Sequence, residues 1–444
     1  MKSSKRKICQ VLALVVSGMG ASVAMAAGPL IQGGGSSLVA PTIGSASNPA
    51  SEIGLYTTNN ATFTYFSVGS GAGQNAFLNN QPTYFGAGAN TTSAVYFANS
   101  DAALTGTQVT AYNASTVGAN SGPLIQIPYI VTAITVPVVN GPAVTSANTP
   151  QTTPGQAHSI ALNDDDLCGI FSGKLTNWNQ VTNPEGGLYS ANAPITVVYR
   201  SDGSGTTELL TRHLAAVCTT NNTASGVTFI DSLTFANTSA FPSGVPANFK
   251  AASGSGGVRG LLTTLSSAST AAVAYLSPDY TNTYIASQSA VVTSSGALQL
   301  PLASLYNTVA RAYYAPTYAN ATTAVSTASA PSTRAAAADP TQWVPVSGAA
   351  YASLANPSSG YPVSGTSQII LSQCYADPTV ASNVQSFLNN HYTNASYASV
   401  VHGNGFDTVP SGFKTAILAD FLSNSSTYGL DINDASTCAF VAGR

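Results

Sequence analysis

The chain has 444 residues, 44% of them apolar and 7% charged, which is enough for two or three ordinary domains with sizeable cores and excludes disorder along the whole length. Its 13 basic and 16 acidic residues give a formal net charge of -3. They form no basic cluster of the kind a nucleic-acid partner needs.

The first 26 residues separate from the rest. Lys2, Lys5, Arg6 and Lys7 precede an apolar run at 11–16 and small residues ending in Ala24-Met25-Ala26. This is the pattern of a secretory signal peptide with an A-x-A cleavage site. The run is well short of the ~20 residues a membrane span needs, so the mature protein is expected to begin near Ala27 without a span. Cleavage would leave nine basic residues against sixteen acidic ones, a net charge of about -7.

A short strand, a Gly/Ser-rich turn and a helix start recur around 30–41, 62–78 and 195–217. The apolar stretch 125–139 contains Pro128 and Pro137 and reads as one buried strand. Residues 206–214 read as a helix, and strand-like runs alternating with helical patterns argue for α/β layers with largely parallel strands. The Ala/Ser/Thr/Pro-rich stretch 315–340 has little periodicity and reads as a surface insertion or mobile loop. Beyond it, 364–371 reads as a strand, and 379–390 and 412–422 as helices.

Four cysteines follow the leader: Cys168, Cys218, Cys374 and Cys438. An even count in an exported chain suggests disulfides with three possible pairings. Cys168 with Cys218 and Cys374 with Cys438 is favoured, because it keeps each bridge within one lobe of the two-lobed fold that the family resemblance described below implies. No cysteine has a CxxC or histidine partner at metal spacing, and Asp164-Asp165-Asp166 reads as helix-start capping without an EF-hand loop, so no metal is expected. His158, His213, His391 and His402 share no motif and are assigned to packing or the surface.

A helix start after a Gly/Ser turn presents free backbone N–H groups and the positive end of the helix dipole, so it attracts an anion. The sharpest case is Arg200-Ser201-Asp202-Gly203-Ser204-Gly205-Thr206-Thr207. Ser204 and Thr206 offer hydroxyls, Gly205 allows close backbone approach, and Arg200 supplies a guanidinium fork suited to a tetrahedral oxyanion. Asp202 is expected to orient Arg200.

This segment closely resembles the motif of the phosphate-binding proteins that serve phosphate-specific ABC transporters, and of the related DING proteins. Gly33-Gly34-Gly35-Ser36-Ser37-Leu38-Val39-Ala40-Pro41 resembles that family's first phosphate loop. Residues 65–73, with Gly69-Ser70, resemble its second. Val95-Tyr96-Phe97-Ala98-Asn99-Ser100-Asp101 resembles the strand end carrying the family's buried aspartate; residues 84–89 share the shape without an acid. Residues 167–178 resemble a structural stretch, and Tyr361-Pro362-Val363-Ser364-Gly365 the return crossover.

The resemblance implies a type II periplasmic-binding-protein-like fold, two α/β lobes joined by two crossovers. Lobe one is expected over 27–133 and 361–444, and lobe two over 134–360. The implied phosphate contacts are Ser37, Leu38 through its backbone N–H, Ser70, Asp101, Arg200, Ser204, Gly205 and Thr206, with Asp202 in support. Ser37 stands where the family often has Thr and Leu38 where it often has Phe, but the hydroxyl and N–H are kept. An acid in an anion site requires a ligand that donates a proton to it. Phosphate does so near neutral pH, and sulfate does not.

The expected role is extracytoplasmic phosphate binding, periplasmic or secreted, with delivery to an ABC-type permease and no cofactor or catalytic step. The alternatives are a secreted DING-like phosphatase and an adhesive or matrix protein.

Overall fold

The computed structural model describes residues 28–57 and 60–444; the expected signal peptide, 1–26, lies outside them. The chain builds two mixed sheets. In the first, the strand order is Asp407–Thr408, Leu124–Ala133, Ser364–Ser372, Phe97–Ser100, Leu30–Gly35, Thr62–Ser67. In the second it is Ala312–Tyr314, Leu302–Asn307, Val136–Val139, Ala272–Ala274, Thr196–Arg200, Phe249–Ala252, with Ala161–Leu162 added on Leu302–Asn307.

Parallel pairing joins Leu30–Gly35 to both its neighbours and Thr196–Arg200 to both of its own. These are the strands that feed the Gly/Ser turns. The strands that carry the chain from one sheet to the other pair antiparallel, as Ser364–Ser372 does with both flanking strands. The expectation of largely parallel sheets therefore fails on the crossover side, because a chain that leaves a sheet and returns to it comes back running the other way.

The apolar stretch 125–139 is two strands rather than one. Leu124–Ala133 is buried at all ten positions, as expected of a strand covered on both faces. Val136–Val139 belongs to the second sheet. The chain changes sheets at Ile134 and Thr135, and the return path lies alongside, with Ile134 N–H donating to the Val363 carbonyl at 2.8 Å. Two adjacent crossovers of this kind connect the two sheets.

Residues 315–340, expected as a surface insertion or mobile loop, carry local helical structure. They form the short helices Tyr318–Ala324 and Arg334–Ala337, followed by the turn Pro340–Gln342. Ala321, Ala324, Val325 and Ala337 are buried. Gln126 Nε2 on the first sheet donates to the Pro340 carbonyl at 2.9 Å, and the buried Trp343 donates to Ala337 at 2.9 Å. Helices this short, with alanine as their buried face, leave no apolar periodicity to detect.

The cysteines pair as Cys168–Cys218 and Cys374–Cys438, with Cα separations of 5.5 and 5.6 Å. The first bridge fixes the middle of helix Asp164–Ser172 against the end of Gly205–Val217. Closing loops of 50 and 64 residues stabilises by roughly 4 kcal/mol each in the chain-entropy view.

Candidate functional site

The cleft is built where the parallel strands of both sheets end, the place where open α/β sheets gather ligands. From the first sheet, Leu30–Gly35 delivers Ser36, Ser37 and Leu38, all buried. Ser36 Oγ accepts from Leu38 N–H at 3.0 Å, and Tyr65 donates to the Ser36 carbonyl at 2.7 Å. Thr62–Ser67 leads through Gly69, at φ +90°, into helix Ser70–Leu78. Phe97–Ser100 ends at Asp101, whose backbone N–H donates to Ser70 Oγ at 3.2 Å. The segment 84–89, the other shape considered for this strand, lies instead at the end of a 3-10 turn, Pro82–Phe85.

From the second sheet, Thr196–Arg200 runs into helix Gly205–Val217. Ser204 caps that helix by accepting from Thr207 N–H at 3.3 Å, and Leu209, Leu210 and Leu214 bury its inner face. Arg200 is 2% exposed. Its Nε donates to Asp202 Oδ1 at 2.7 Å and its Nη2 to Asp202 Oδ2. Its backbone N–H donates to the Tyr275 hydroxyl at 2.9 Å. Its Nη1 is buried without a partner.

The two halves touch. Thr206 Oγ1 lies 3.4 Å from Asp101 Oδ2, Gly71 N–H donates to the Gly203 carbonyl at 3.0 Å, and Ser37 Oγ is 3.0 Å from Ser255 Oγ. A Cβ on Gly205 would fall 2.5 Å from that of Asp101 and 2.7 Å from Ser70 Oγ, so only glycine fits there with the lobes closed. Ser37, Leu38, Ser70, Asp101, Arg200, Ser204, Gly205 and Thr206 thus converge on one cleft, and Asp202 locks Arg200.

Burial raises the Asp101 carboxyl, against the opposing hydrogen bonds of Ser36 and Ser367 and the charge of Arg200; Ser367 Oγ donates at 2.8 Å. Burial raises Asp202 too, but the Arg200 hydrogen bonds and charge, with Gly254 N–H, outweigh it and hold that carboxyl below its usual range. The cleft therefore holds one carboxylate committed to arginine and one whose burial resists its ionisation.

Four participants escaped sequence reading. Ser255 opens helix Gly254–Ser267 after strand Phe249–Ala252, a fourth copy of the strand, Gly/Ser turn and helix arrangement that the sequence shows in Ser253-Gly254-Ser255-Gly256. Ser367 sits on the return strand, and Tyr275 and Asp279 beyond Ala272–Ala274. Nothing local marks these three, since their role depends on the crossovers.

Among the described residues no three His, Cys, Asp or Glu side chains gather as a metal site, and no helix is long and apolar enough to cross a membrane. The triple aspartate is spent on capping and pairing. Asn163 and Asp166 form a capping box, Asp164 pairs with His213 at 3.1 Å, and Asp165 accepts from Asn222 at 2.9 Å.

The model of the PBP superfamily domain matches residues 21–389. A phosphate-binding protein of an unknown prokaryotic organism is 35% identical over 84% of this chain and 91% of its own length. A high-affinity periplasmic phosphate-binding DING protein, solved with phosphate bound, is 31% identical, covering 93% of this chain and 99% of that one at a TM-score of 0.70. Alkaline phosphatase L of Pseudomonas aeruginosa is 36% identical over 64% of this chain; the chain spans 63% of that relative's length. Two lobes, two adjacent crossovers and a closed cleft at the strand ends agree with these likenesses: the chain belongs to the PBP superfamily, among its phosphate-binding and DING proteins.

Proposed function

We propose that the cleft binds inorganic phosphate through the hydroxyls of Ser37, Ser70, Ser204 and Thr206, the backbone N–H groups of Leu38 and Gly205, the Arg200 guanidinium and the Asp101 carboxylate. The observation that carries this reading is Arg200 Nη1, buried and unpartnered while the other guanidinium nitrogens are fixed by Asp202. An orphaned charged donor costs several kcal/mol in a closed interior unless an anion meets it. Asp101, on the facing wall, makes that anion one that brings its own proton. In this reading 27–133 and 361–444 form one lobe and 134–360 contribute the other. The protein acts outside the cytoplasm, periplasmic or secreted after removal of residues 1–26, and hands phosphate to an ABC-type permease without a cofactor.

Calorimetric titration of phosphate-stripped mature protein with phosphate and then sulfate tests this, alongside Asp101→Asn. The wild type is expected to bind phosphate one to one and to discriminate against sulfate by about 10⁴-fold, as a site built around a ligand hydrogen bond does. The variant is expected to narrow that ratio by at least about tenfold. Folded protein that ignores phosphate removes the reading.

The name of the Pseudomonas relative favours a second reading, slow phosphate-ester hydrolysis at the same cleft. Turnover of p-nitrophenyl phosphate that disappears with Arg200→Ala would support it; absence of turnover in phosphate-binding protein leaves binding alone.

A further inference from the structure

Beyond strand Ala272–Ala274 the chain passes Tyr275, Leu276 and Ser277 and enters the turn Pro278–Tyr280. The strand runs parallel to Thr196–Arg200, so its carboxyl end opens on the same cleft as Arg200. Asp279 is fully buried there. Its Oδ1 is hydrogen-bonded to Ser277 Oγ, and its Oδ2 is buried without a partner. Ser277 Oγ also faces the carbonyl of Leu38 on the other lobe, 3.5 Å away.

We propose that Asp279 is a positioning residue for the bound anion: through Ser277 it holds the Leu38 carbonyl, and with it the loop 36–38 that presents Ser37 to the ligand, against the second lobe. The proposal rests on the phosphate reading above and adds to it a residue outside the expected contacts.

The chemistry lies in the single hydrogen of the Ser277 hydroxyl. A neutral Asp279 can donate to Ser277 Oγ, which leaves the serine hydrogen free for the Leu38 carbonyl. A carboxylate can only accept; it takes that hydrogen, and the carbonyl across the cleft loses its donor. The clamp therefore works with the acid and fails with its anion.

Burial pushes the Asp279 carboxyl well above the usual carboxylate range. The Ser277 hydrogen bond and the residue's own N–H oppose the rise, and the charge of Asp101 adds to it. The other groups around it are few. Arg259, the one charged side chain of helix Gly254–Ser267, is occupied by the Tyr280 and Thr281 carbonyls at 2.6 and 3.3 Å. Arg200 is held by Asp202, and helix Ala290–Thr293 carries no charge. On the segment that packs on Pro278 through Gly405, His402 and Asp407 pair with each other at 2.9 Å. For a group raised in this way the neutral form prevails at low pH and is lost as pH climbs, so the clamp weakens with rising pH.

The test is calorimetric titration of the stripped mature protein with inorganic phosphate from pH 6 to pH 10, for wild type, Asp279→Asn and Ser277→Ala. Thermal melts confirm that each variant is folded. The ratio of variant to wild-type Kd at each pH cancels the titration of phosphate itself.

The amide introduced by Asp279→Asn donates at every pH. This variant is expected to bind about threefold more weakly than wild type at pH 6 and about threefold more tightly at the top of the range. That tenfold swing corresponds to one hydrogen bond. Ser277→Ala is expected to lose about tenfold at pH 6, with a flatter profile. A constant ratio for Asp279→Asn, or wild-type affinity in Ser277→Ala, overturns the proposal alone. Folded wild type that binds no phosphate at any pH overturns the phosphate reading and this proposal with it.

Discussion

Two buried polar clusters share a chemistry of charge and hydrogen bonding and differ in what each leaves over. In the core of the first lobe, Glu52 is fully buried. One oxygen lies 2.7 Å from His391 Nδ1 and the other accepts from the Tyr129 hydroxyl, while His391 Nε2 meets the Tyr129 carbonyl at 2.7 Å. The imidazole stacks on the Tyr129 ring at 3.7 Å. In the cleft, Arg200 is as deeply buried and its partner Asp202 as firmly bound, yet Nη1 has nothing to meet. A closed network fixes packing. One that ends in an orphaned charge, where helix starts from both lobes face it, is shaped for something that arrives from solution. Trp178 Nε1, Arg212 Nε and Arg444 Nε and Nη2 are unpartnered as well, but Arg212 is anchored on the Ser364 carbonyl and Arg444 on the carbonyls of Phe77 and Val95, so it is the place of the orphan between facing helix starts, together with its charge, that marks the cleft.

The contrast can be broken by truncating each cluster and asking which property suffers. The largest effect is expected from Arg200→Ala, which removes the guanidinium and leaves Asp202 without its partner. Phosphate affinity should fall by about 1,000-fold, within the roughly 2–5 kcal/mol that truncating one partner of a buried charged contact costs in binding. Calorimetry reads the loss directly, and a loss of less than tenfold would mean that the orphaned nitrogen is not aimed at the ligand.

Glu52→Ala should do the reverse. It strands the Tyr129 hydroxyl and His391 Nδ1, whose two desolvation costs add to roughly 3 kcal/mol of lost stability. It should leave phosphate affinity within twofold in the fraction that remains folded. Urea unfolding measures the first quantity and titration below the transition the second. A large affinity loss would mean that this cluster, which ties helices Glu52–Leu55 and Pro378–Thr393 to the crossover strand Leu124–Ala133, also sets the closure angle.

The same contrast explains what was legible in the sequence. The cleft could be read because each contributor sits on a local signal. Ser37, Ser70 and Thr206 follow strand-to-turn transitions with glycine at the approach point, and Arg200 and Asp202 are two residues apart. The Glu52 cluster could not be read, because its partners are 77 and 339 residues away along the chain and meet only after the return crossover. Ser367, Tyr275 and Asp279 share that difficulty. The short helices within 315–340 were illegible for a different reason: alanine serves as their buried face, and alanine is equally at home in loops.

The finest test of the contrast is Tyr275→Phe, which removes one oxygen from the support of Arg200 and nothing from the ligand surface itself. The Tyr275 hydroxyl accepts the Arg200 backbone N–H at 2.9 Å and lies 2.7 Å from Thr207 Oγ1, so it ties the end of the strand to the first turn of the capped helix. Burial pushes this phenol far above its ordinary range, so it stays neutral at every working pH and its loss is a hydrogen-bond effect without a charge term. Leaving one buried backbone N–H unmet should cost about 1–2 kcal/mol of stability. If the guanidinium is positioned by Asp202 alone, affinity should hold. If the backbone must also be fixed for Nη1 to point into the cleft, affinity should fall about three- to tenfold, since small displacements of a charged donor in a dehydrated site are costly. The second outcome is the expected one, because Asp202 follows Arg200 by only two residues and would move with it.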